Sequence, residues 1–130
     1  MKLLVDTHCW IWLTSESSRL PSPLRRRLSS DPSMLVLSAA SVMEMGIKHA
    51  AGRLRLATDP TRLVAELADE GVVVLSVTAE HALRAAALPL LHRDPFDRLL
   101  VAQAQVEGFT LVTADANILA YDVATIDARK

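Results

Sequence analysis

Short apolar runs that lead into helices recur along this chain, and that recurrence limits the possible folds more than any other feature. Leu3, Leu4 and Val5 run directly into Asp6. An apolar run without polar alternation reads as a strand buried on both faces, as in parallel sheets. Met34–Leu37, Val72–Leu75 and Phe109–Val112 repeat the pattern, and Val123–Ile126 adds a fifth, edge strand. Helical stretches separate them: one through Trp10–Leu13, a basic one at Leu24–Ser30, and one from Ser38 or Ser41 to about Ala51, with Gly52 as its stop. Others run from Pro60 to Gly71, from Thr78 to Leu88, and from Asp94 to Gly108. Asp94 suits an N-cap there, and Pro95 suits the first helical position. Strands alternating with helices predict βαβ units. The expected fold is therefore α/β: a three-layer α/β/α sandwich, with a central, mainly parallel sheet of four to five strands, as a single domain over residues 1–130.

Several function classes are excluded early. The one cysteine, Cys9, allows no intrachain disulfide, CxxC pair or cysteine-rich zinc site. No apolar run approaches the ~20 residues needed to span a membrane, and Asp6 interrupts what a signal peptide would need as its apolar core. These features predict a soluble, cytoplasmic protein. A formal net charge of −1, from 14 Lys+Arg against 15 Asp+Glu, argues against gripping nucleic acid by overall positive charge.

In such folds ligands sit beyond the carboxyl ends of the strands, and acidic residues gather there. Asp6 closes the first strand, and Asp115 follows the fourth by three residues. Glu44 lies in the helix after the second strand, and Asp97 lies in the first turn of the helix before the fourth. Four carboxylates from four segments can thus meet at one rim. Packed carboxylates repel one another unless a cation or proton neutralises them. An all-oxygen ligand set suits Mg²⁺ or Mn²⁺ and supports hydrolysis of phosphodiesters. Each acid also has a plain structural reading. Ser41 to Glu44 fits a capping box, Asp97 favours a helix start, and Asp115 suits a cap or turn. Asp6 fits the structural reading least, because an aspartate closing an apolar strand is poor strand chemistry.

Four segments carry a family resemblance: Leu4-Val5-Asp6-Thr7-His8, Glu44-Met45-Gly46-Ile47-Lys48, His92-Arg93-Asp94-Pro95-Phe96-Asp97-Arg98-Leu99-Leu100, and Thr113-Ala114-Asp115. In order and spacing they resemble the signature segments of PIN-domain ribonucleases, and most nearly the VapC-type toxins of type II toxin–antitoxin pairs. The resemblance spans essentially the whole chain, and the Asp94–Leu100 run is its most specific piece. It implies a PIN-like fold and a Mg²⁺- or Mn²⁺-dependent endoribonuclease acting through a metal-activated water. The implied catalytic and metal-binding residues are Asp6, Glu44, Asp97 and Asp115. Asp94 is read as a helix cap, with a water-mediated place in the site as the alternative. Thr7 and Thr113 are read as hydroxyls that orient carboxylates or phosphate. The resemblance also implies an RNA substrate, a VapB-like antitoxin partner and a homodimer. Setting the four site acids aside leaves 11 acids against 14 bases, so a mildly basic remainder surrounds an acidic pocket.

Weaker signals divide between structure and function. Lys48 shares a helical face with Glu44 and either contacts substrate or pairs with it. Arg98 is read as a site-rim residue or a surface residue. Arg25, Arg26 and Arg27 read first as a solvated face and second as phosphate contacts. The histidines show no metal-ligand spacing. Of Trp10 and Trp12, one belongs in the core and the other at an interface. Two alternatives compete with the toxin. An RNA-processing PIN nuclease is disfavoured because no further RNA-binding domain is seen. A phospho-receiver domain needs paired acids after the first strand, but Thr7 follows Asp6, and Leu75-Ser76-Val77 offers no acceptor aspartate after the third.

Overall fold

Each of the five apolar runs forms a strand in the structure, a computed structural model that describes residues 1–56 and 58–130. The strands are β1 (Leu3–Val5), β2 (Leu35–Ser38), β3 (Val73–Leu75), β4 (Thr110–Thr113) and β5 (Thr125–Asp127). The helices are α1 (Thr7–Thr14), α2 (Ser22–Ser30), α3 (Ala39–Ala50), α4 (Pro60–Asp69), α5 (Ala79–Ala87), α6 (Pro95–Glu107) and α7 (Ala116–Leu119). The strand order is β3-β2-β1-β4-β5. Every pairing is parallel, so the sheet is wholly rather than mainly parallel.

Alternation along the strands builds the layers. Leu3, Val5, Leu35, Leu37 and Val112 face a core that includes Trp10, Leu24, Leu28, Met45, Leu63 and Leu67 of α1 to α4. Leu4, Val36 and Leu111 face the opposite way, onto Leu100, Val101 and Ala104 of α6 and Ile118 of α7. Each such leucine contributes roughly 1.5–3 kcal/mol by leaving water, and two apolar faces require two helical layers. This is the expected three-layer α/β/α sandwich. β3 departs from the buried pattern: Val73 and Val74 are 39% and 42% exposed, because β3 is a sheet edge.

Helix boundaries follow from caps. α1 begins at Thr7, earlier than the stretch from Trp10, because the Asp6 side chain accepts the Cys9 N–H at 2.8 Å. Ser38, not Ser41, caps α3. Asp94 caps α6, with Pro95 behind it, and Gly108 ends that helix at φ 73°. β5 starts two residues later than expected, because the Val123 N–H closes a tight turn onto the Tyr121 carbonyl at 3.0 Å.

This order puts the switch point between β1 and β4. The chain builds outward from β1 to β2 and β3, then returns to add β4 and β5 on the other side. The crevice beyond the carboxyl ends of β1 and β4 is where an open α/β sheet holds ligands. A buried polar network braces the second layer nearby. Gln103 Oε1 accepts from the Ser38 hydroxyl at 2.6 Å, while Gln103 Nε2 reaches the Ser76 carbonyl and His81 Nδ1, each at 3.3 Å. Replacing Gln103 by Leu keeps the volume but takes away the Ser38 hydroxyl's acceptor and the Ser76 carbonyl's amide donor, while His81 Nδ1 keeps the Thr78 N–H. Urea unfolding is expected to show a loss of about 1–3 kcal/mol.

Candidate active site

Asp6 sits at the switch point, and three bonds fix it there. Its N–H continues the ladder to the Val112 carbonyl at 3.0 Å. Its Oδ1 caps α1, and its Oδ2 accepts from the Thr113 hydroxyl at 2.5 Å. The same Thr113 hydroxyl accepts the Asp115 N–H at 3.1 Å. One side chain at the end of β4 thus ties Asp6 to the backbone that carries Asp115. Asp6 is 3% exposed, and burial pushes its carboxyl pKa up against the hydrogen bonds that lower it. The cap explains why an aspartate can close an apolar strand, but a neutral asparagine would cap equally well.

Asp97 lies in the first turn of α6. A helix N-terminus normally favours a carboxylate. Here burial, followed by the charges of Asp94, Glu44 and Asp6, outweighs the nearby His92 and raises its pKa to about 7. Asp6, Glu44 and Asp97 therefore share one electrostatic environment. Glu44 lies in the middle of α3, beyond the reach of a capping box, and Ser41 instead accepts from the Thr7 hydroxyl at 2.9 Å. Glu44 Oε2 pairs with Lys48 at 3.0 Å, while its Oε1 is buried without a partner. An acceptor-only oxygen left unpaired beside other carboxylates calls for a cation or a proton. A hard divalent ion suits oxygen donors of this kind, so the residues fit such an ion.

His92, which has no metal-ligand spacing in the sequence, joins this centre. Its Nε2 lies 2.9 Å from Asp97 Oδ2 and 3.1 Å from Asp115 Oδ2. Donor atoms of these three residues all fall within 4.8 Å of one another. The Asp94 N–H points at His92 Nδ1 from 3.2 Å. That ring nitrogen therefore accepts, and Nε2 carries the proton toward both carboxylates. His92 acts as a shared donor that holds two acids together. Its only sequence signal was its place two residues before the cap of α6, inside the run that carries Asp94 and Asp97.

The remaining residues separate cleanly. Asp94 caps α6 through the Phe96 N–H at 2.9 Å, close enough to Asp97 to raise its pKa. Asp115 caps α7 through the Asn117 N–H at 2.8 Å while its other oxygen faces His92. Arg98 is occupied elsewhere: its guanidinium donates to the carbonyls of Ala85, Leu88, Pro89 and His92, pinning the end of α5 and the segment carrying His92. Arg25 similarly binds the carbonyls of Trp12, Leu13 and Ser17, so its guanidinium serves the fold rather than a solvated face. Trp10 is the buried tryptophan of its pair, and Trp12 is half-buried beside it.

The model of the PIN domain matches residues 3–124. Ribonuclease VapC22 of Mycobacterium tuberculosis is 31% identical over 117 residues, covering 89% of this chain and 88% of that protein. A toxin–antitoxin complex from Klebsiella pneumoniae contains a chain similar in fold, with a TM-score of 0.71 at 19% identity over 98% of each chain. DNA-bound VapBC from Salmonella typhimurium is similar at a TM-score of 0.68 and 18% identity, again over 98% of each chain.

The charge crowding has a thermodynamic signature. The Asp97 pKa is raised on folding, from an ordinary 3.8 to about 7. The folded state therefore holds that proton more tightly than the unfolded state. Its contribution is full below pH ~4 and is lost as pH rises toward 7. In chelator at pH 8, Asp97→Asn is expected to melt about 3–5 °C above the parent protein. The gap should close as pH falls toward 5, as calorimetric melts across pH would show.

Proposed function

This chain belongs to the PIN-domain family, and from that membership we propose that it is a divalent-metal-dependent endoribonuclease, the toxin of a VapBC-type pair. The observation that carries the proposal is the buried group of acids at the β1–β4 switch point, with Glu44 Oε1 unpartnered and Asp97 raised to about 7. Asp6, Glu44, Asp97 and Asp115 would hold Mg²⁺ or Mn²⁺. Such an ion supplies a water of lowered pKa and neutralises charge at the phosphodiester.

The chain's own residues prepare the site. Thr113 and the Cys9 N–H fix both oxygens of Asp6. His92 brings Asp97 and Asp115 to a common point. Lys48 neutralises one oxygen of Glu44 and leaves the other for the ion. Thr7, through Ser41, braces α1 against α3 behind the carboxylates. Positions set in this way by neighbours outside the ligand set keep reacting groups aligned.

The partner reading has two supports. The similar chain from Klebsiella pneumoniae is part of a toxin–antitoxin complex, and we assign this chain a VapB-like antitoxin on that likeness. A homodimer is proposed on the exposed leucines of α5 and the segment after it, where Leu83 and Leu90 are each 73% exposed and Leu91 is 47% exposed. No helix among the described residues is long and apolar enough to cross a membrane.

Asp6→Asn preserves the cap and the shape while removing the charge. RNA cleavage by the purified protein in Mg²⁺ or Mn²⁺ is expected to fall at least about 100-fold, with an unchanged circular dichroism spectrum. Excess EDTA should abolish wild-type cleavage, and added Mn²⁺ should restore it. Cleavage by the Asp6→Asn protein at the parental rate would refute the assignment.

A further inference from the structure

An open groove of about 440 Å³ borders the acidic group, with Glu44, Asp94 and the Glu44-paired Lys48 in its lining. Its volume falls within the roughly 300–1,000 Å³ typical of small-ligand sites. Its apolar lining is Ile47 of α3 with Pro95 and Phe96 at the start of α6, Phe96 being partly buried against the second core. Ile47 is 45% exposed there. Arg53 and Arg93 line the same groove from two separate segments, and both are exposed. The turn after α3 folds back, with the Arg53 N–H on the Lys48 carbonyl at 2.9 Å, and this returns Arg53 to the groove. Arg93 immediately precedes the Asp94 cap. These two arginines differ from Arg25 and Arg98, whose guanidinium groups are bound to carbonyls.

We propose that this groove holds the nucleotide next to the scissile phosphate of a single-stranded RNA, its base lying on Phe96 and its phosphate between Arg53 and Arg93. The inference rests on the ribonuclease reading and specifies how that substrate is held. An aromatic and apolar floor under a cationic rim is the arrangement that binds single strands, because every base has a stacking face and every linkage a negative charge. A duplex keeps its bases stacked on one another, so it offers this floor nothing to bind. The cationic rim also answers the charge problem of the site: it draws a polyanion toward a pocket of carboxylates that would otherwise repel it.

The test measures binding apart from cleavage. Asp6→Asn protein, free of any partner, is titrated with a short fluorescein-labelled oligouridylate, and anisotropy is read at several NaCl concentrations. Arg53→Ala with Arg93→Ala is expected to weaken binding about tenfold and to reduce the salt slope by about 1–2. Phe96→Leu, which keeps an apolar side chain, should weaken binding about five- to tenfold with the slope unchanged. Arg84→Ala removes a charge beside Gly108 and Phe109, near the amino end of β4, and should stay within about twofold of the parent. An arginine pair variant that binds like Arg84→Ala overturns the proposal, and the groove then serves another occupant such as an antitoxin segment. Wild-type cleavage of the same labelled RNA is scored separately. Cleavage without dependence on the arginine pair rejects the groove and keeps the nuclease. Dependence on the pair without cleavage does the reverse.

Discussion

The hydrogen bond from Thr113 to Asp6 is the contact on which the rest of the site depends. It joins the carboxyl ends of β1 and β4, residues 107 apart in sequence, at the one place where the sheet changes its direction of growth. The Asp6 oxygens are set by Thr113 and the Cys9 N–H, so the carboxylate cannot turn away to solvent. Through the same hydroxyl, the Asp115 N–H is fixed as well. A parallel sheet with a switch point makes a crevice, and this bond fixes a carboxyl group at its mouth.

That placement opposes stability. Burial and neighbouring charge raise the pKa of Asp97, and burial raises that of Asp6, so the metal-free fold carries carboxylates in a setting that disfavours them. His92 offsets part of the repulsion with one proton shared between two acids, and Lys48 offsets another part at Glu44. The two apolar cores on either face of the sheet supply the stability that lets the crevice remain strained in charge. On the proposed metal-dependent reading, a cation bound at these oxygens would relieve the strain, so that local instability and function would share residues.

Much of this was readable in the chain itself. Apolar runs such as Leu3–Val5 have no other economical reading than buried parallel strands, and Asp94-Pro95 marks a helix start through cap chemistry alone. The acids at strand ends followed from the fold type. The rest depended on contacts distant in sequence. His92 has no metal-ligand spacing, and it matters only because α6 and β4 bring Asp97 and Asp115 to its ring. Arg98 looked available for substrate because nothing local shows that α5 ends against it. The capping-box alternative for Glu44 arises because Ser41 stands three before it, whereas Ser38 starts the helix. Local chemistry fixed element types, and tertiary contacts decided which polar groups were left for function.

Anomalous scattering from crystals grown in MnCl₂ would examine the metal site at atomic level. Strong Mn²⁺ scattering is expected in the crevice beyond β1 and β4, at coordination distance from carboxylate oxygens of Asp6 and at least one of Glu44, Asp97 and Asp115. Strong Mn²⁺ peaks only at other surfaces, from crystals of protein that still cleaves RNA, would contradict a metal-centred role for these acids.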